Sequence, residues 1–107
     1  MRPLELDPKE IASLDKVLHE PARLSVVACL AAVEEADFVF LQSQTGMTGG
    51  NLSSHLRKLE GSGYVAISKE FVESKPRTSL RLTKAGKVAL KTYLKSTRQL
   101  LAFFDAL

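Results

Sequence analysis

Cysteine occurs once in the 107 residues, at Cys29, which excludes an internal disulfide and any zinc site built from a cysteine cluster. No apolar run can cross a bilayer: the longest, Leu24 to Val33, is about half the length required. The opening MRPLELDPKE is acidic and lacks the apolar core of a secretory signal. Catalytic patterns are missing as well. There is no Ser-His-Asp or Cys-His set at workable spacing, no glycine-rich phosphate loop and no metal-ligand cluster. These absences argue against an enzyme, and no cofactor and no metal are expected. Asp15, His19 and Glu20 are close in sequence but read as a solvated helix end. What is left is a cytoplasmic protein with no membrane partner, a single domain spanning 1–107. A chain of this length buries roughly 65% of its unfolded surface, enough for one core.

The formal charge of +3 hides an asymmetry. Residues 1–40 carry four cations against eight acids, net −4. Residues 41–84 carry seven against three, net +4, and residues 85–107 carry four against one, net +3. A basic C-terminal two-thirds behind an acidic start suggests a face for a polyanion, although solvated lysines give the same composition.

Asp7-Pro8 and Glu20-Pro21 both read as helix starts, with an acid to cap free amides and proline at the first helical position. They predict helices over about 8–19 and about 21–33, the second apolar nearly all round and therefore central. Cys29 lies within it and reads as a small core residue. Phe38-Val39-Phe40 reads as a short strand or extended segment, followed by a short helix over Leu41 to Thr45 that Gly46 stops as a left-handed cap. Thr48 caps the next helix, which carries Leu52, Leu56 and Leu59 and ends at Gly61-Ser62-Gly63. Residues 64–68 and 78–82 read as two strands of a hairpin whose tip, Val72 to Pro76, is turn-like and stiffened by proline. Thr83 caps a final helix running from Lys84 to the end.

On that last helix, at 100° per residue, Lys84, Lys87, Lys91, Lys95 and Arg98 occupy roughly 80° of arc. Its apolar residues spread over about 180°, against about 100° for a helix that docks only on its own core. The surplus calls for a second surface. The expected cover is a homodimer, with 84–107 as the dimerisation helix pairing with its mate and with the first helix. The candidate interface is Leu4, Leu6, Ile11, Leu14 and Leu18 at the N-terminal end, with Leu90, Tyr93, Leu94, Leu100, Leu101, Phe103 and Phe104 on the last helix.

The order helix, helix, short strand, helix, glycine turn, helix, hairpin, helix predicts an α+β, mostly α, winged helix-turn-helix, with 48–61 as the reading helix and 68–82 as the wing. If Leu52, Leu56 and Leu59 face inward, Gly50, Ser54, Arg57 and Lys58 face out, flanked by Asn51 and Ser53. Such a face suits the major groove of double-stranded DNA: small residues allow close approach, Asn and Ser bond base edges, and Arg57 and Lys58 meet phosphate or guanine. Thr48 and the helix amides favour a phosphate. Gly49-Gly50 costs about 1–2 kcal/mol of helix propensity, so either bulk is harmful there or the helix simply starts loosely. His55 sits at the edge of the inward face, where packing is expected rather than ligation.

The segment MTGGNLSSHLRKLEGSGYV (47–65), followed by TSLRLTKAGKVAL (78–90), resembles the MarR/ArsR-like winged-helix transcriptional regulators, especially the small archaeal and bacterial ones. The opening from Leu14 to Leu24 also matches, so the likeness covers about residues 14–95. It implies a homodimer whose reading helices enter successive major grooves, with wings over the flanking backbone. On that basis Lys69, Lys75, Arg77, Thr78 and Arg81 become candidate wing contacts. Such dimers often hold a small apolar pocket for a small-molecule effector, but no polar anchor for one stands out, and its chemistry stays unidentified. The paired cysteines and His/Asp clusters of metal-sensing ArsR proteins are missing. The alternative is a winged-helix protein-interaction module without DNA binding, which would need exposed aromatics or leucines on the reading helix; this helix shows Gly, Asn, Ser, Arg and Lys.

Overall fold

A computed structural model describes residues 6–107, so the candidate contact Leu4 lies outside the described residues. The order is α1 (Pro8–Ala12), α2 (Pro21–Ala31), β1 (Ala36–Asp37), α3 (Phe38–Thr45), α4 (Gly49–Gly61), β2 (Val65–Val72), β3 (Lys75–Leu82) and α5 (Lys84–Asp105). The strands form one antiparallel sheet in the order β1-β3-β2. This is the winged helix, mostly helical, as the element order predicts.

Helix α1 is shorter than its periodicity suggests. Asp7 caps it by accepting the Lys9 amide at 2.9 Å, with Pro8 in the first turn. The expected helix to residue 19 instead breaks at Ser13, whose hydroxyl donates back to the Glu10 carbonyl at 2.9 Å. Asp15 then starts a separate turn: its Oδ1 accepts the amides of Val17 and Leu18, and its carbonyl accepts the His19 amide at 2.7 Å. The reason for the break lies far along the chain. The Tyr64 hydroxyl donates to Asp15 Oδ2, which pins this turn beneath the end of α4; that bond, with desolvation behind it, pushes the Tyr64 phenol up from its ordinary value.

Glu20 caps α2 through the amides of Arg23 at 2.8 Å and Ala22 at 3.2 Å. The Arg23 amide is the main cause holding the Glu20 carboxyl below its ordinary value. The helix ends at Ala31, two residues short of expectation, and buries Val26, Val27 and Leu30. Cys29 packs half-buried against the core. The segment Phe38-Val39-Phe40 is corrected from strand to helix. The Asp37 carboxylate accepts the Phe40 amide at 2.7 Å and starts α3 there, so the strand is confined to Ala36 and Asp37. A well-placed cap outweighs the strand preference of three aromatic and β-branched residues. Gly46 ends α3 at φ 71°, in the left-handed region expected of it.

Strands β2 and β3 are longer than expected, and Val72 and Lys75 are still paired. The tip is therefore only Glu73 and Ser74, at φ 52° and 64°, and Pro76 belongs to β3, opposite Phe71. Proline is tolerated there because β1 reaches only Ser79 and Leu80, so the other edge of β3 is open at that level.

Four elements meet where β2 begins and α5 starts. Thr83 caps α5 by accepting the Gly86 amide at 3.0 Å, and its hydroxyl donates to the Gly63 carbonyl at 2.6 Å. The Thr83 amide donates to the Tyr64 carbonyl at 2.9 Å. A Cβ on residue 86 would lie 2.3 Å from that same carbonyl oxygen, so only glycine fits.

Beyond this junction α5 leaves the domain. Tyr93 is buried in the core and Ala89 and Leu90 pack against it, while Ser96, Gln99 and Leu100 face Leu6, Glu10, Ile11 and Leu14 of the N-terminal segment across a shallow cleft. Val88, Leu94, Leu101, Phe104 and Leu107 stay exposed. The radius of gyration, 16.7 Å in a 68 × 25 × 21 Å body, exceeds the ~13 Å of a compact chain this long.

Replacing Gly86 with alanine is expected to destabilise the domain by about 2 kcal/mol or more, since backbone and not a pliable side chain occupies the space. Urea denaturation followed by circular dichroism reads the loss; an unchanged midpoint would remove the steric argument.

Candidate nucleic-acid interface

The face predicted on α4 is assembled as its heptad-like leucines dictate. Leu52, Leu56 and Leu59 are buried against α2, α3 and the sheet, which turns Gly50, Asn51, Ser54, Arg57 and Lys58 to solvent; Ser53 is half-buried at the margin. Thr48 is exposed, and its Oγ1 accepts the Asn51 amide at 3.2 Å. The remaining free amides of the first turn and the positive end of the helix dipole point the same way. No ion pair with another described residue ties Arg57 or Lys58 down.

The inner edge of α4 is fixed by a polar cluster that sequence reasoning missed. Arg23 of α2 donates through Nε to the Val17 carbonyl at 2.7 Å and reaches His55 Nδ1 at 3.4 Å. Glu20 Oε2 lies 3.8 Å from both Arg23 and His55. His55 is thus a packing residue, as expected, but a polar one that ties the reading helix to the start of α2. Asp15, His19 and Glu20 are not a solvated helix end: His19 Nδ1 is 2.8 Å from the Tyr93 hydroxyl, which links the connector to α5. Only the Glu20-Pro21 cap was visible in the sequence; the partners lie up to 74 residues away.

The wing candidates do not form one surface. Cross-strand partners share a face of a sheet, which groups Lys69 with Thr78 on the face of Ile67, Leu80, Phe71 and Pro76. Lys75, Arg77 and Arg81 lie on the opposite face, where Arg77 stands against Glu70. All are exposed except Thr78, which is half-buried. The candidate dimer contacts also divide. Leu18, wholly buried, and Tyr93 belong to the domain's own core, so neither has surface left for a partner; Leu6 is buried as well. A helical wheel cannot separate a stripe facing its own core from one facing a mate. Leu14, Leu90, Leu100 and Phe103 are half-buried, and Ile11, Leu94, Leu101 and Phe104 are exposed.

Sequence and structure comparisons place the chain in a known class. The family model described as a winged helix DNA-binding domain matches residues 22–101, and the chain belongs to that family. It is 33% identical over 85 residues to an uncharacterized protein of Methanocaldococcus jannaschii, covering 79% of this chain and 92% of that one. It superposes on a transcriptional regulator homologue from Pyrococcus horikoshii with a TM-score of 0.82 at 33% identity, over 91% of this chain and 95% of that one. The transcriptional repressor BigR from Xylella fastidiosa follows at 31% identity and a TM-score of 0.61, over 85% and 87% of the two chains. The two solved relatives are described as a transcriptional regulator homologue and a transcriptional repressor. Among the described residues no helix is long and apolar enough to cross a membrane.

Gly50 has nothing within 4 Å of where a Cβ would lie, whereas one on Gly49 would make ordinary contact with Gln42 and Phe38. Inside the molecule, then, nothing requires glycine at 50. Gly50→Ala is expected to raise stability by about 0.5–1 kcal/mol, measurable as a higher thermal midpoint. A lower midpoint would show that the chain itself needs the glycine.

Proposed function

We propose that the chain is a sequence-specific, DNA-binding transcriptional regulator acting as a homodimer, with α4 in the major groove and the β2–β3 wing on the flanking backbone. The observation that carries this reading is the outward face of α4: small, polar and cationic, without ion-pair partners among the described residues, and held at a fixed angle by the Glu20–Arg23–His55 cluster on its other side. Gly50, Asn51, Ser53 and Ser54 would face base edges. Arg57 and Lys58 stand a turn later for guanine or phosphate, and Thr48 with the first-turn amides for a phosphate. Lys69, Lys75, Arg77, Thr78 and Arg81 supply the wing contacts, from both of its faces. The rival reading, a protein-interaction module, finds no apolar anchor on this helix.

The homodimer rests on α5. Leu90, Leu94, Thr97, Leu101 and Phe104 repeat at alternating spacings of four and three, the signature of a coiled-coil seam, and three of them are exposed in the single chain. Thr97 fits such a seam because its hydroxyl already donates to the Tyr93 carbonyl at 2.7 Å, so burying it strands no polar group. The exposed apolar residues, with Ile11 beside the N-terminal cleft, form the surface a second copy would cover. A small-molecule effector fits the same reading by analogy with NadR, solved with 4-hydroxyphenylacetate.

If each protomer neutralises about three to five phosphates, the log–log dependence of DNA affinity on salt has a slope of about −5 to −9 for the dimer. Fluorescence anisotropy on fragments selected from random genomic DNA measures it, and a slope near zero would end the DNA-binding reading. Arg57→Ala and Gly50→Ala are both expected to weaken binding and relax sequence preference, the latter despite its gain in stability.

Light scattering tests the seam separately. The native chain is expected to be a dimer at micromolar concentration and Leu101→Glu a monomer, because a charge buried in an apolar seam costs several kcal/mol. A monomeric native chain would remove the homodimer.

A further inference from the structure

Phe71 is 78% exposed, more than any other described aromatic residue, and nothing in the domain's packing uses it. It stands on β2 four residues beyond Ile67, whose partner Leu80 is the last wholly buried residue of the hairpin. At a strand rise of about 3.4 Å per residue, Phe71 is carried roughly 14 Å out from the core. Its cross-strand partner is Pro76, so the two make one apolar unit just behind the Glu73-Ser74 tip.

The charges around this unit say what it meets. Lys69 shares its face, Lys75 and Arg77 flank it on the other face, and Glu70 stands opposite Arg77 and offsets that charge. Glu73 at the tip opposes a phosphate contact by the turn itself. Beyond Ser68 the hairpin thus carries its apolar pair on one face with Lys69, and Lys75 with Arg77 on the other, while Glu70 and Glu73 offset part of the positive charge. A ribbon with cations on both faces complements a groove walled by two phosphate strands, and the apolar unit on one face is the part that phosphates cannot engage. Apolar side chains, phenylalanine and proline among them, are the groups that wedge between base steps from the minor groove and kink the duplex.

We propose that Phe71, backed by Pro76, is a minor-groove wedge: the wing presses it against or between base pairs next to the major groove read by α4, so that the deformability of that step adds to sequence preference. The proposal rests on the DNA-binding reading and deepens it. It assigns the wing a contact whose strength is apolar and whose salt dependence is small.

The test compares native chain, Phe71→Ala and Phe71→Leu on a duplex recovered by selection, carrying 2-aminopurine at successive positions beside the contacted major groove. With the native chain, fluorescence is expected to rise at one step as stacking is lost. Phe71→Ala is expected to bind about tenfold more weakly with the salt slope unchanged and the fluorescence rise gone. Phe71→Leu keeps most of both, since leucine also wedges. Arg77→Ala, in contrast, is expected to lower the slope by about one. Native affinity and fluorescence in Phe71→Ala would overturn the wedge and leave the phenylalanine to a protein partner, while the salt slope of the native chain would still stand for DNA binding. The absence of any salt-dependent binding by the native chain would instead overturn the reading beneath it. Phe71 is exposed, so an unchanged thermal midpoint is expected and separates loss of contact from loss of fold.

Discussion

The contact between the Tyr64 carbonyl and the backbone of Gly86 sets the relative placement of α4, the wing and α5. That oxygen accepts the Thr83 amide and sits where any other residue at 86 would place its Cβ. The end of α4, the start of the wing, its return and the start of α5 are thereby locked within a few residues of one another by Thr83, Gly63, Tyr64 and Gly86. The Tyr64 side chain extends the lock to the Asp15 turn. The angle between reading helix, wing and protruding helix is thus a property of one backbone junction. Errors there would misplace all three surfaces together.

Around that junction the molecule separates labour by face. The inner side of α4 spends its polar groups on α2 through His55, and its leucines on the core. The outer side makes no ion pair with another described residue. Helix α5 follows the same logic: Tyr93 and Gly86 hold it to the domain, the N-terminal segment covers part of its second half, and the stripe through Leu94, Leu101 and Phe104 is left over. An isolated protomer of this shape carries an aggregation liability that burial against a second copy would remove.

Local signals were readable in the sequence because they are local. Asp7-Pro8, Glu20-Pro21, Gly46, Thr48 and Thr83 each act within three residues, and each sits where its chemistry required. The failures share a cause of the opposite kind. Helix α1 stops early because Asp15 is engaged by Tyr64, 49 residues on, and Leu18 and Tyr93 are core because α5 crosses the Asp15 turn, which no wheel shows. The wing tip is narrower than its composition suggests because a two-residue turn with both φ positive normally announces itself with Asn-Gly; Glu73-Ser74 adopts it without either residue. Phe38 to Phe40 misled through propensity, which a single capping carboxylate reversed. On the candidate interface, the reading-helix face followed from periodicity alone. The split of wing cations between two faces did not, because it depends on a register that composition does not encode.

Two glycines make the final distinction. Gly86 and Gly50 both stand in the first turn of a helix, and helix propensity penalises both alike. At 86 the chain's own backbone forbids a side chain; at 50 a side chain would enter open solvent. A glycine that propensity disfavours and that no neighbouring atom requires leaves room for something outside the molecule to come close. Position 50 lies on a helix face bare of bulk and, among the described residues, free of ion pairs, beside Asn51, Ser54 and Arg57. On the proposed reading that partner is the edge of base pairs in a wide groove, which backbone and short polar groups can read at close range.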